Sequence, residues 1–471
     1  MSPSTNQNPA HHALHVAIIG GGFCGVMTLI HLLKTAKSPL HITLIHHADL
    51  LAKGIAYDTY SNEHVLNVEA RNMSAFPDDP DHFVNWCKQS DLCSSYPKEQ
   101  LPFLYLPRNI YGKYLSQVYH DALLHIPNHV NLYFTHAEAT DMQKEGDHYR
   151  IFCGDGTSVL AHKVVIATGN HLPGHSALND KAIVSNPKYF PNPWTENAVL
   201  GLDGSSPVFI IGTGLTMVDV VIGLQEKKFS NKIYALSPKG FNILAHRPHH
   251  PQREILDELA PPYELEKLVQ LFRKYVRKAW KHGESGETVV DAVRSKTQEI
   301  WQSLDLKDKQ RFMSHVRHLW GVARHRLPGH IHNQVQDLIK EGRLEIIAGR
   351  ILEVYDENNQ LALKIKRRKS QTEETLRVAR VINCTGPQTD IRKFDSQLFK
   401  NLLKKEMISP DDMYLGVHAT ADGEVIQKDN TPSSQLFVLG SLLKGKLWES
   451  TAVPELRKQA KNLAGILLRE Y

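Results

Sequence analysis

Two stretches of this chain share one build. VAIIGGGFCGV (16–26) and FIIGTGLTMVD (209–219) each run from a short apolar strand through a glycine-rich turn into the start of a helix. That build commits a chain to a parallel sheet covered by helices, because parallel neighbours need a crossover connection. In the first stretch Gly20, Gly22 and Gly25 complete G-x-G-x-x-G, with Phe23 opening the helix VMTLIHLLK. The first glycine permits a tight turn, the second lets backbone approach a pyrophosphate, and the third lets helix and strand pack closely. The helix N-terminus then faces negative charge. A dinucleotide site is the expected result. In the second stretch Gly212 and Gly214 match, Thr216 lies in the first helical turn, and Met217 replaces the third glycine. Helix and strand are therefore expected to sit slightly farther apart there.

The strands that follow the two loops differ from the usual pattern. HITLIHH (41–47) ends in His46 and His47, with Asp49 just beyond, where an acid normally binds a ribose hydroxyl. A neutral imidazole donates or accepts a hydrogen bond, so any of the three residues suits a ribose. KIYALSP (232–238) ends without an acid and leads to Lys239, with Arg247 nearby. Basic residues in place of a carboxylate suit a 2′-phosphate, which predicts NADPH rather than NADH. Two loops imply two cofactors, as an enzyme moving electrons from a nicotinamide to a flavin requires.

Four apolar runs enter glycine turns, at 15–22, 163–170, 207–214 and 379–386, and a fifth, 435–441, precedes the last helix. They lack polar alternation, as strands covered on both faces do. The expected class is α/β, with two Rossmann-like dinucleotide-binding domains and a mostly helical insertion in the second. The insertion spans about 251–340; YELEKLVQLFRKYVRKAW (263–280) places Leu265, Leu268, Phe272, Tyr275 and Val276 on one face at helical spacing. Its Trp and Phe residues are read as core.

Composition narrows the function classes. A chain of 471 residues with 41% hydrophobic and 22% charged residues is an ordinary globular protein. A net charge of +5 without a recognisable binding module does not suggest nucleic acid. The polar opening MSPSTNQNPAHH is unlike a signal peptide, and no apolar run is long enough to cross a bilayer, so a cytoplasmic location without membrane contact is expected. Five cysteines form no C-x-x-C pair, which argues against a zinc site or a disulfide reductase. HRPHH (246–250) and HLWGVARHR (318–326) lack Cys or carboxylate at ligand spacing, so no metal is expected, and Arg324–Arg326 read as an anion contact or a solvated helix face. No G-x-S-x-G turn suggests a hydrolase.

GIAYDTYSNEHVLNVEARNMSAFPDDPDHFVNWC (54–87), FLYLPRNIYGKYL (103–115), GVARHRLP (321–328) and GSLLKGKLWESTAVPELRKQA (440–460) resemble signatures of a family of bacterial FAD/NAD(P)-binding flavoproteins. More distantly, the plan is similar to flavin-dependent N-hydroxylating and Baeyer–Villiger monooxygenases. The resemblance implies FAD at Gly20, Gly22 and Gly25, with Asn67 and Met73 against the flavin and Arg108 near the cofactor. It also implies that IATGN (166–170) and NCTGP (383–387) link the domains, with Thr168, Gly169, Thr385 and Gly386 close to cofactor. Gly440 and Ser441 stand where many flavoproteins have Gly-Asp, so Ser441 is expected to replace the carboxylate. The last helix, starting between Thr451 and Pro454, would turn its positive end to the flavin. The expected domains are 13–175 with 380–471 for FAD, and 200–379 for NADP.

The function this implies is an FAD-dependent, NADPH-using oxidoreductase. The resemblance favours a monooxygenase that hydroxylates a small nucleophilic substrate with O2 through a flavin hydroperoxide. Two alternatives stay open: a reductase or dehydrogenase passing electrons to a quinone or a protein, and a non-catalytic flavin-binding redox sensor or scaffold. No residue is singled out as catalytic.

Overall fold

The computed structural model describes residues 13–47, 51–175, 178, 181–247 and 250–469. Asp49 and part of the 246–250 histidine cluster lie outside the described residues. The doubly wound α/β class read from the sequence is the architecture found.

The first sheet is built around Leu14–Ile19, whose Val16, Ala17 and Ile18 are fully buried. Leu40–Ile45 and then Val130–Thr135 lie parallel on one side, and Lys163–Ile166 and then Pro432–Val438 on the other. Glu424–Ile426 closes that edge antiparallel. Strand order therefore reverses at Leu14–Ile19, and a crevice opens beyond its carboxyl end, where Gly20 begins. The second sheet repeats the scheme: Val208–Ile211 runs parallel to Ile233–Ser237 on one side and to Arg380–Asn383 on the other. Its reversal falls at Gly212. Leu344–Glu357 continues that sheet and leads into antiparallel neighbours Gln360–Arg367 and Glu373–Val378. A separate antiparallel sheet comprises Ala139–Glu145, His148–Cys153 and Ser158–Ala161.

Helix packing follows from the apolar faces. Phe23–Thr35 is buried from Phe23 to Leu33 and shares one core with Ala460, Leu463 and Leu467 of the last helix, Val453–Leu467. Gly329–Lys340 packs Ile331, Val335 and Leu338 into the core of the second sheet, so this helix covers the sheet rather than extending the insertion. The insertion has its own cores. Leu268 and Tyr275 of helix Leu265–Lys281 join Ile255, Tyr263, Val289 and Val293, while Leu265, Trp301 and Phe312 join Leu415 and Trp448 of the first lobe's C-terminal part. Trp301 and Phe312 are thus core, as read from the sequence, whereas Trp280 is 64% exposed. All five cysteines are buried and free, and no described helix is long and apolar enough to cross a membrane.

Three histidines tie stability to pH. Burial lowers the pKa of His15, His31 and His171 to about 4, with the charges of His41, His162 and His148 adding to the effect at His15. In the unfolded chain each titrates near 6.5. A depressed folded-state value means that the unfolded chain binds more protons, so stability present above pH 6.5 is lost as pH falls from 6.5 toward 4. Thermal melts at stepped pH are expected to show Tm falling across this window. A Tm that stays level through it would contradict burial of the three neutral rings.

Candidate functional site

Each glycine in the first loop has its own reason. Gly20 adopts φ +116°, and a Cβ there would overlap the carbonyl oxygen of Ala167. A Cβ at Gly25 would overlap the carbonyl oxygen of Gly20 itself. At Gly22 the nearest atom to an added Cβ is Gly54 Cα, 3.9 Å away, so the backbone faces open space. Gly22 caps helix Phe23–Thr35 without a side-chain hydrogen bond, and no acid stands in the first turn. The first-turn N–H groups thus point at the crevice with no side-chain capping bond, which is the donor set an anionic pyrophosphate needs.

A cleft of about 440 Å³ opens in front of them. Gly20, Gly22, Phe23, His46, Thr168, Gly169, Ser441 and Thr451 all line it. His46, 9% exposed, takes the strand-end place of the expected acid, its ring 4.6 Å from that of His136 and edge-on to it. At the other end, Ser441 Oγ donates to the Gly169 carbonyl at 2.6 Å, and buried Ser450 Oγ donates to the Gly440 carbonyl at 2.6 Å. Gly440 adopts φ +73°, with Cys24 Sγ only 3.0 Å from where a Cβ would lie. Pro454 sits in the first turn of Val453–Leu467, where a missing N–H costs nothing. Ser441 therefore joins the Thr168–Gly169 link to the C-terminal segment. Nothing in the local sequence around Ser450 marks it out.

The second loop copies the first. Gly212 adopts φ +112°, a Cβ there would overlap the Cys384 carbonyl, and Thr385 N lies 3.3 Å from the same point. Thr385 is held by its own Oγ1 donating to Asn383 Oδ1 at 2.8 Å, and Gly386 follows at φ +86°. Gly214 caps Leu215–Glu226, which includes Thr216, again with no side-chain capping bond and no first-turn acid. Met217 fills the third glycine's place, 2% exposed. At the end of Ile233–Ser237 stands Ser237, a residue that the sequence reading passed over. Its hydroxyl bonds Thr213 Oγ1 at 2.9 Å and accepts from Gly240 N at 3.0 Å, which orders the turn carrying Lys239. Arg247 follows His246, whose N–H donates to the Leu327 carbonyl at 2.7 Å.

Three residues that the resemblance sets near the cofactor stand outside the lining of this cleft. Met73 is 3% exposed within the first lobe's core, so it fills space there instead of facing the cleft. Asn67 is half-buried and offers its backbone carbonyl to His246 Nε2 at 3.1 Å, outside the lining. Arg108 forks onto Asp219 of the second loop's helix at 2.8 and 3.1 Å, and its Nε donates to the Val65 carbonyl at 3.0 Å. Three of its five N–H donors are engaged, so it clamps the second loop's helix to the segment around Val65. With side chains only 19% and 16% exposed, removing one partner strands the other's charge. Arg108→Ala is expected to lower stability by about 3 kcal/mol, read by urea unfolding, with FAD content unchanged; a change within a few tenths would show that the clamp carries no load.

Residues 17–171 match the family model described as FAD-NAD(P)-binding. The match contains the first loop, His46 and the Thr168–Gly169 link, and it makes this part of the chain an FAD/NAD(P)-binding domain. Among solved structures, the chain is similar to the reduced form of an ornithine hydroxylase from Pseudomonas aeruginosa, at TM-score 0.67 and 13% identity over 97% of this chain and 99% of that one. It is similar to an ornithine N-hydroxylase from Kutzneria sp. 744 in a complex with reduced FAD, NADP+ and L-ornithine, at 0.67 and 12% over 97% and 99%. An L-lysine 6-monooxygenase from Pseudomonas syringae aligns at 0.65 and 15% over the same shares, 97% and 99%. At such identities the likeness establishes the fold. No curated protein sequence matches the chain.

Proposed function

We propose that this chain is an FAD-dependent, NADPH-using oxidoreductase, and within that class a monooxygenase that hydroxylates a small nucleophilic substrate. The observation that carries the reading is the repeated device at the two strand-order reversals. Each has a positive-φ glycine pressed on a linking segment and a helix N-terminus without a side-chain cap. The monooxygenase step is supported by the shared fold of hydroxylases and monooxygenases.

When bound, FAD supplies two-electron chemistry between a reduced nicotinamide and dioxygen. The chain's residues would then divide the work. Gly20, Gly22 and the first turn after Phe23 hold the FAD pyrophosphate, and His46 takes a ribose hydroxyl. Ser441 fixes the Thr168–Gly169 link, and the N-terminal end of Val453–Leu467 offers its positive dipole to charge on the cofactor. Gly212, Gly214 and Thr216 take the second dinucleotide, with Lys239 and Arg247 for a 2′-phosphate, while Thr385 and Gly386 let backbone come close. The insertion packs Leu265, Trp301 and Phe312 on Leu415 and Trp448, beside the segment that leads into Ser450 and Thr451 of the cleft.

The test is a balance of NADPH consumed against peroxide released, over a panel of small amines. An amine that lowers peroxide in proportion to a hydroxylated product supports the monooxygenase. Full conversion to peroxide with every amine would leave a reductase.

A further inference from the structure

The insertion carries an excess of positive charge to the end of the cofactor cleft. Helix Leu306–Arg311 continues through a π-helical turn, Phe312–Val316, into Arg317–Arg324. A π turn re-aims the face of the helix after it and is frequent at functional sites. Beyond the turn Arg317, Trp320 and Arg324 fall at i, i+3 and i+7, on one face.

That face meets the segment 444–449. Trp320 Nε1 donates to Glu449 Oε1 at 3.4 Å, while Arg324 Nε lies 3.6 Å from the same oxygen, too far for a hydrogen bond. Arg324 Nε is buried with no other hydrogen-bond partner among the described residues. Glu449 is placed by Trp448, a residue at φ +61° and ψ −64° whose ring is stacked on Trp301 at 4.9 Å and edge-on to Phe312 at 5.2 Å. A non-glycine residue in that region is strained and persists only where its surroundings hold it. Lys444 Nζ sits 5.4 Å from the Trp448 ring, and neither Lys444 nor Arg317 has an ion-pair partner among the described residues. The other acids close by are engaged: Glu455 with Arg294 at 3.0 Å, and Asp291 with Arg326 at 2.6 Å.

Burial lowers the pKa of Lys444, Arg317, Arg324 and His325; neighbouring cations add to this at Lys444, Arg324 and His325, and Glu449 opposes it at the same three. Arg317 and His325 are exposed, at the rim of the space between Arg317–Arg324 and Lys444–Glu449. Glu449 leads directly into Ser450 and Thr451, which line the cofactor cleft, so the recess adjoins it. Cations held this way, with one carboxylate among them, are completed by an anion.

We propose that the recess between Arg317–Arg324 and Lys444–Glu449 binds the carboxylate or phosphate group of the small-molecule substrate, with Lys444 and Arg324 as its direct ligands and Arg317 and His325 at its rim. This substrate assignment rests on the redox reading above. Lys239, proposed above for the NADPH 2′-phosphate, acts electrostatically on His318, next to Arg317, so the NADPH arm of the test decides which phosphate or carboxylate the recess takes.

The full-length, FAD-loaded protein is titrated with succinate, inorganic phosphate and neutral succinamide, following the flavin difference spectrum. The two anions are expected to bind saturably and succinamide not to bind. Lys444→Met and Arg324→Met should each weaken anion binding about tenfold or more, as loss of one charge-assisted bond does. Lys444→Gln serves where a Met variant loses its FAD. Glu449→Gln should tighten binding, because it removes the competing carboxylate; structural damage would not change affinity in that direction. No saturable anion binding, or affinities untouched by these variants, overturns the proposal. Weakening of the NADPH Kd in Lys444→Met in step with the anion Kd would assign the recess to a cofactor phosphate and overturn the substrate assignment. Anion binding that behaves as expected in a protein whose flavin NADPH does not reduce would support the recess and reject the redox reading.

Discussion

Gly25→Ala is expected to give a protein that purifies without FAD and does not take it up when the cofactor is added. The added Cβ overlaps the carbonyl oxygen of Gly20, a backbone atom held at the end of a fully buried strand. Relief requires helix Phe23–Thr35 to move away from Leu14–Ile19, but that helix shares a packed core with the last helix. Overpacking of this kind costs about 3 kcal/mol. Moving the helix also withdraws the N–H groups of its first turn from the pyrophosphate. The ratio of flavin to protein absorbance reads the first effect and urea unfolding the second. A yellow variant with stoichiometric FAD would mean that the first loop is not the FAD site.

Gly212→Ala should separate the two cofactors. The residue sits at φ +112°, where an L side chain is strained, and its Cβ would overlap the Cys384 carbonyl. The disturbance stays in the second lobe, so the protein should keep its FAD. Reduction by NADPH should slow about 100-fold, the effect of misplacing one reactant by roughly 1 Å. Stopped-flow absorbance of the flavin checks this. Wild-type reduction rates would remove the second loop from the account, and loss of FAD would show that the lobes are not independent.

These two glycine loops are also what was most legible in the sequence. Short apolar runs entering glycine turns mark buried parallel strands and the reversal points between them, because both signals are local. The fold class followed from them. The insertion's helical face was legible for the same reason, with Leu268 and Tyr275 buried as their spacing implies. Its end was not: Gly329–Lys340 has the same helical pattern, and only its packing on Leu344 and Val208 shows which core it serves. The partner of Arg108 was not legible, because Asp219 is 111 residues away and looks locally like an ordinary helix acid. Met73 followed the same rule: a buried methionine and a methionine stacked on a cofactor are alike in sequence. Ser441 was picked out from the expected Gly-Asp position, yet its bond to Gly169 spans 272 residues. The π turn before Arg317 and the strained backbone at Trp448 carry no sequence pattern that the reading used, although both shape the recess at the end of the cleft.

The central claim is that one chain holds a flavin and a nicotinamide so that electrons pass between them. It is tested most directly by anaerobic titration of the FAD-loaded protein with NADPH and, separately, NADH, following the visible absorbance of the flavin. Rapid bleaching with a preference for NADPH is the expected result, since the second loop leads to Lys239 and no carboxylate. A flavin that stays oxidised with both nucleotides would contradict the claim.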